Sequence, residues 1–351
     1  MSAIDTFLKG YIDRGHAPSV QYAFFDDSNV HHQFGYGFRD VGQRLAVEPD
    51  TSYHLFSVTK TVTALATLQL VEQGRLKLDD KVSDHLNGFP YPSTITVDQL
   101  LSHTSGIPNP IPLRWIHLAE EHVTFDDDRF FDGIFSANHK LLFYPGTRFK
   151  YSNLGYVFLG RLIERVSGVA FESYVRDNIF APASIEPSDL GFEINVSTMA
   201  VGYHKRWTIS NALLSILMDK RKFMGPPERD WRPFRHFYIN GAAYGGLFGT
   251  PRGLVAYAQG LLKTDCPWLS DSFRKERFRE RSAGGRATGM SYSWFTGMLG
   301  NNRYFAHAGG GGGYYVELRL YPGRRLGSVI MFNRSGMRDE RFLDRVDRFL
   351  L

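Results

Sequence analysis

Apolar and polar residues alternate near both ends of this chain, and apolar residues recur at helical spacing in several places between them. Ser19 to Phe25 and Val30 to Arg39 alternate or run apolar around Asp26-Asp-Ser-Asn29, which predicts a hairpin. Tyr304 to His307, Tyr314 to Tyr321 and Leu326 to Phe332 predict three more strands. The last two are joined by a turn at Pro322-Gly-Arg-Arg325. Helical runs lie at Thr61 to Gln73, Leu154 to Val166 and Ile209 to Met218. The first ten residues predict an amphipathic helix, and Asp339 to Leu351 a closing one. Asp271 to Arg281 is charge-dense, shows no apolar face and predicts a solvated helix. The pattern by itself gives an α+β fold and nothing finer.

Three places in this pattern carry chemistry. Ser57-Val-Thr-Lys60 follows an extended segment and opens the apolar helix at Thr61. A serine in the first turn of a helix lies near free N–H groups and the positive end of the dipole. Lys60, three residues on, shares its helix face, and a buried amine there can take the serine's proton. A second Ser-x-x-Lys, Ser272 to Lys275, lies in the charge-dense stretch and reads as chance. Tyr151-Ser-Asn153 precedes the helix at Leu154. Asn153 is a candidate cap for it, and Tyr151 can present a phenol beside a lysine. Tyr238-Ile-Asn240 repeats that tripeptide and shows how common it is. His307-Ala-Gly309 leads into a glycine run reaching Gly313, where a substrate can lie close to backbone N–H groups.

These three motifs, in this order, resemble the serine β-lactamase and penicillin-binding-protein superfamily, whose signature includes Ser-x-x-Lys. The likeness is greatest to the class C β-lactamase-like branch, with its esterases, D-aminopeptidases and carboxypeptidases. Thr96 to Pro108 and Gly245 to Leu254 also match it. The resemblance is sharp over roughly 50–75, 96–108, 144–168, 241–262 and 303–333, and vague over roughly 170–240 and 263–300. It implies a β-lactamase-like fold. Residues 1–74 and 241–351 would form an antiparallel sheet flanked by helices, and 75–240 a mostly helical domain, with the site between them. It further implies an acyl-enzyme on Ser57, with Lys60 and Tyr151 sharing proton transfer. Asn153 would orient Lys60 or the substrate's amide. The oxyanion would sit on the N–H groups of Ser57 and Gly310, beside Gly309. In lactam-binding relatives the third motif usually begins with a lysine that meets the substrate carboxylate. Here His307 stands in that place, and neutral imidazole is the weaker anchor. An ester or amide substrate is therefore favoured over a lactam. A true β-lactamase or D-Ala peptidase, and a catalytically silent binding protein on the same fold, are the alternatives.

Composition changes the picture in two respects. Of the formal net charge of +5, an equal excess lies within Tyr203 to His236, where eight lysines and arginines face three acids. That stretch is also aromatic. It reads as a solvated basic face, a cleft wall attracting an anionic substrate, or a surface patch for a membrane or partner. No recognition motif accompanies the charge, so no nucleic-acid partner is expected. The single cysteine, Cys266, and the scattered histidines imply no disulfide and no metal site, and no cofactor is expected. His103 reads as a hydrogen-bonding helix–loop residue. No apolar segment is long enough to span a membrane, and the opening residues lack the pattern of a secretion leader, so a cytoplasmic location is expected. Oligomeric state is not legible.

Overall fold

Strands from near the two ends of the sequence meet in one antiparallel sheet. The computed structural model describes residues 1–208, 218–335, 337 and 341–351. From the N-terminal side come β1 (Ser19–Asp26), β2 (Val30–Asp40) and β3 (Leu45–Ala46). From the C-terminal side come β4 (Phe295–Leu299), β5 (Asn302–Gly311), β6 (Tyr314–Tyr321) and β7 (Leu326–Phe332). Their order is β4-β5-β6-β7-β1-β2-β3. The seam between the chain ends is the β1–β7 ladder, in which Val20 opposes Phe332 and Asp26 opposes Leu326.

Side chains two apart on a strand share a face, and in the central strands β1, β6 and β7 both faces are covered. Val20, Tyr22 and Phe24 pack with Ile330 and Phe332 beneath helix α1 (Ala3–Asp13) and Phe342, Leu343 and Val346. Ala23 and Phe25 join Val329 and Met331 in the main core on the opposite face. A capping box between Ser2 and Asp5 starts α1. The predicted closing helix is not formed in the described part of its range. Two short 3₁₀ turns, Phe342–Arg345 and Asp347–Phe349, stand there instead. The reason is a buried polar network that competes with a continuous helix. Asp347 accepts hydrogen bonds from Ser328 (2.6 Å), Tyr321 (2.8 Å) and Tyr22 (3.1 Å). Glu317 accepts from the Leu343 N–H (3.0 Å), and Arg319 bridges Glu317 and Asp344.

Helix α2 (Thr59–Glu72) is the centre of the main core. Every residue from Thr59 to Leu70 is buried, as expected for a helix enclosed on all sides. Its threonines are tolerated because their hydroxyls find carbonyls; Thr63 donates to Ala243 O at 2.6 Å. Helix α3 (Asn153–Ser167) and the short helix Ala242–Gly245 pack against α2. The helix Asp271–Phe278 is not simply solvated. Arg277 is buried and donates to Leu261 O, while Phe273 and Phe278 lie against the core. The apolar stem of an arginine supplied a face that the charge pattern hid. The apolar run Ile209 to Met218, except for Met218 itself, lies outside the described residues.

His54, on the short strand Tyr53–His54, is wedged between the rings of Phe237 (4.4 Å) and Phe248 (4.3 Å) and donates from Nε2 to Phe237 O. Burial drops its pKa from 6.5 to about 3. A histidine depressed in the fold adds stability above its unfolded pKa, and that stability is lost as pH falls below it. In urea titrations between pH 4.5 and 7.5, His54→Gln should flatten the decline below pH 6.5 by up to about 1.4 kcal/mol per pH unit. An unchanged slope would show that this imidazole does not stay neutral in the fold.

Candidate active site

Ser57 lies in a 3₁₀ turn, Phe56–Val58, that leads directly into α2. The residue before it, Phe56, has φ +46°, a left-handed conformation that costs a non-glycine residue on the order of 1 kcal/mol or more. The Phe56 ring packs near His54, Phe237 and Tyr314, which holds the turn in place. From the sheet side, β5 lies against the same turn. A methyl group on Gly309 would collide with the Leu55 carbonyl and crowd the Ser57 nitrogen, so only glycine permits this approach. The turn after β5 needs glycine for another reason, since Gly312 and Gly313 both have positive φ.

Lys60 is fully buried, and its Nζ donates to Ser57 Oγ at 3.0 Å and to Tyr244 O at 2.7 Å. The rings of Tyr151, Tyr244 and Tyr156 surround the amine, with centroids 5.1, 5.1 and 5.7 Å away. Burial depresses its pKa well below the usual lysine range. Tyr151 packs on the His103 ring at 4.4 Å and faces Phe295 at 6.3 Å. His103 is itself held by accepting the Ser152 N–H at Nδ1, 3.1 Å, which fits the hydrogen-bonding role expected for it. Its burial and the neighbouring Lys60 and His307 keep it neutral.

Asn153 differs from expectation in two ways. The helix cap is Ser152, whose hydroxyl accepts the Gly155 N–H, and Asn153 is the first helical residue. Both of Lys60's hydrogen bonds go elsewhere, and Asn153 Oδ1 is buried without a partner among the described residues. His307, on β5, is 2% exposed and has its pKa lowered to about 3, first by burial and then by Lys60. Ser57, Tyr151, Asn153, His307, Gly309 and Gly310 all line one cleft of about 890 Å³. The two decoys do not. Ser272 is exposed and bonds Ser270, while Asn240 is bound by His117 at 2.7 Å and Tyr238 stacks on His122.

The walls of this cleft are apolar and aromatic: Phe234, Phe237, Phe295, Tyr314, Met218 and Ile116 are among them. Among its described lining residues Arg341 is the only charged one, and none is a carboxylate. From the basic stretch 203–236, the lining residues are His204, Met218, Phe234 and no cation. Lys222 pairs with Glu121, Arg235 with Glu120, and Arg232 donates to Gly225 O. Of the described residues of this stretch, Met218 and Phe234 supply apolar lining, while Lys222, Arg232 and Arg235 are engaged elsewhere. His204 and Ser335, 2.7 Å apart, form a polar pair in the same cleft. Sequence reasoning missed the Tyr244 carbonyl that holds Lys60, because a backbone acceptor leaves no side-chain signature. Among the described residues no cluster of His, Cys, Asp or Glu could hold a metal ion, and no helix is long and apolar enough to cross a membrane.

Comparison with known proteins bears on the fold and the family. Protein flp of Staphylococcus aureus strain MW2 is 32% identical over 216 residues, 56% of this chain and 42% of that protein. The chain therefore spans less than half the length of that curated relative. The octameric penicillin-binding protein homologue of Pyrococcus abyssi superposes with a TM-score of 0.79 at 25% identity, covering 99% of this chain and 76% of that one. The D-amino acid amidase of Ochrobactrum anthropi SV3 gives a TM-score of 0.79 at 21% identity, covering 99% and 97%, which shows a shared fold. The family model Beta-lactamase matches residues 4–351, and the chain belongs to the beta-lactamase family.

Proposed function

We propose that this protein is a serine hydrolase that cleaves a neutral ester or amide through an acyl-enzyme on Ser57. The observation that carries the reading is the buried Lys60 amine, 3.0 Å from Ser57 Oγ and depressed in pKa by its burial. A neutral amine at that distance accepts the hydroxyl proton as Oγ bonds to the substrate carbonyl carbon. The oxyanion is received by the N–H groups of Ser57 and Gly310. Tyr151, with its ring against Lys60, passes the proton to the leaving alcohol or amine as the C–O or C–N bond breaks. Water then attacks the acyl carbon as its proton passes to the Lys60–Tyr151 pair, and the pair hands that proton to Ser57 Oγ as the Oγ–acyl bond breaks and the acid leaves. The two titrations are coupled, so the base is the pair rather than either residue. The apolar walls favour a substrate with a bulky apolar acyl group, and the lack of a lysine at 307 disfavours a lactam carboxylate.

Ser57→Ala should abolish labelling by a fluorophosphonate probe, and Ser272→Ala should leave it intact. Intact-mass spectrometry and peptide mapping read the outcome. An unlabelled wild type would favour the silent binding protein. Lys60→Ala and Tyr151→Phe should each lower turnover of a p-nitrophenyl ester by roughly 10³ or more, and the double variant should be little worse than the poorer single one. Losses that multiply in full would mean that the two act independently. The combined change Arg229→Glu, Arg232→Glu and Arg235→Glu should alter the kcat/KM ratio of an anionic to a neutral ester by less than about twofold at 0.15 M salt, where exposed charges beyond ~8 Å are screened. A larger shift would bring these charges back to the cleft.

A further inference from the structure

The Tyr244 carbonyl that holds Lys60 belongs to a helix of four residues, Ala242–Gly245, and a carboxylate holds the far end of that helix. Asp127 Oδ1 accepts the N–H of Gly241, the capping residue, at 2.9 Å. Gly241 has φ +87°, and a methyl group on it would meet the Phe131 ring at 2.9 Å. Phe131 lies one turn beyond Asp127 on the same helix, Asp127–Ala137. The preceding residue is pinned as well. Asn240 donates its N–H to Trp115 O at 2.9 Å, and its side chain bonds His117 at 2.7 Å. At the other end, α2 meets the short helix through Lys60 to Tyr244 O, 2.7 Å, and Thr63 to Ala243 O, 2.6 Å. Four helical residues span about 6 Å, so a movement of Gly241 reaches the Tyr244 carbonyl with little backbone in which to fade.

A carboxylate is costly in this position. Asp127 is half-buried and has no cation paired with it among the described residues; Arg161, on α3, bonds Asp128 at 2.8 Å instead. Burial pushes the Asp127 pKa from 3.8 up to about 6; the Gly241 N–H and Arg161 oppose this, and Asp128 and Glu172 add to it. On the short helix, burial and then the Asp127 charge keep the Tyr244 phenol protonated. An acid whose pKa is raised in the fold binds its proton more tightly there than in the unfolded chain, so its ionisation lowers stability as pH rises from 3.8 through 6. A neutral asparagine could accept the same N–H without that loss, and groups retained at a cost to stability gather where function needs them. We infer that Asp127 is a positioning residue of the Ser57 site: its carboxylate fixes Gly241 and, through the short helix, the Tyr244 carbonyl that aims the Lys60 amine at Ser57 Oγ. The inference rests on the hydrolase proposed above and concerns how its base is held. An ionised carboxylate makes the stronger, charge-assisted hydrogen bond, and a displaced base loses rate. Asp127 is not among the described lining residues of the cleft, so substrate affinity should not follow.

The test compares wild type, Asp127→Asn and Asp127→Ala on a p-nitrophenyl ester between pH 4.5 and 8. The ratio of wild-type to Asp127→Asn kcat should be close to one below pH 5, where both side chains are neutral. It should rise through pH 6 to a plateau of about fivefold, as a charge-assisted hydrogen bond replaces a neutral one. Taking the ratio removes ionisations that the two proteins share. KM should stay within about twofold throughout, since no lining group changes. Asp127→Ala, which has no acceptor, should lose on the order of a hundredfold in kcat. In thermal melts at pH 7.5, Asp127→Asn should be at least as stable as wild type, which separates positioning from a merely structural role. Asp128→Asn, on the exposed neighbour, should give a flat ratio. A flat ratio for Asp127→Asn, a change confined to KM, or a Tm that falls together with kcat each overturns the inference. A readout independent of hydrolysis is the ¹³Cε resonance of Lys60 in lysine-labelled protein, assigned by its loss in Lys60→Ala. It should differ between wild type and Asp127→Asn at pH 7.5 and nearly coincide at pH 5. If it does so while wild-type Ser57 resists the fluorophosphonate probe, the hydrolase reading fails and the coupling stands. If Ser57 is labelled and the resonance is indifferent to Asp127, the coupling fails and the hydrolase stands. Should Asp127→Ala not fold, the asparagine ratio and the resonance decide.

Discussion

An amine with no counter-ion among its hydrogen-bond partners, buried beside a serine, is the constraint on which the rest of this structure depends. Lys60 donates to a hydroxyl and to a backbone carbonyl, both neutral. Keeping its charge there costs several kcal/mol of lost hydration. Three tyrosine faces surround it, each cation–π contact worth about 2 kcal/mol or more when desolvated and not fully additive, yet burial still depresses the amine's pKa. Desolvation is therefore the larger effect, and the amine is pushed toward its neutral form. The same environment that destabilises the ammonium favours the neutral amine that the proposed mechanism requires.

That environment has to be built from distant parts of the chain. Helix α2 carries Lys60 and is buried on every side, so it needs neighbours all round. The short helix Ala242–Gly245 supplies the Tyr244 carbonyl, the segment just before α3 supplies Tyr151, α3 itself supplies Tyr156, and β5 closes the remaining side. The sheet approaches closely only because Gly309 has no side chain to meet Leu55. The left-handed Phe56 turns the backbone so that Ser57 enters the first helical turn, and aromatic packing offsets that strain.

What the sequence revealed was local, and what it hid was not. Ser57 and Lys60 are three residues apart on one helix, so their spacing already implied contact. The Ser272 copy was told apart by the absence of an apolar run behind it, and it is exposed in the structure. The cap of α3 was misplaced by one residue because Ser152 and Asn153 are both good caps, and only geometry chooses between them. The last segment was expected as a helix because its periodicity fits one. Hydrogen bonds from Tyr22, Tyr321 and Ser328 to Asp347 hold it as short turns, and those partners are far away in sequence. The basic stretch shows the same limit. Its composition was evident, but its arrangement depended on Tyr203–Lys205 pairing with Trp231–Pro233 and on Glu120 and Glu121 pairing with Arg235 and Lys222.

The imidazole at position 307 also bears on the proton balance of the site. Two ammonium groups in one buried pocket cannot both keep their charge, because each lowers the pKa of the other. A lysine at 307 would compete with Lys60 for the single positive charge that the pocket can carry, unless a substrate anion neutralised it. The influence of Lys60 on His307, and of both on His103, shows that these groups share one electrostatic neighbourhood. With both histidines held neutral by burial, the proton exchange proposed for this site would fall to Lys60 and Tyr151. The base no longer depends on an anionic substrate to set its charge state. Under the proposed mechanism, a neutral substrate would enter this largely apolar cleft without needing a charged partner on β5.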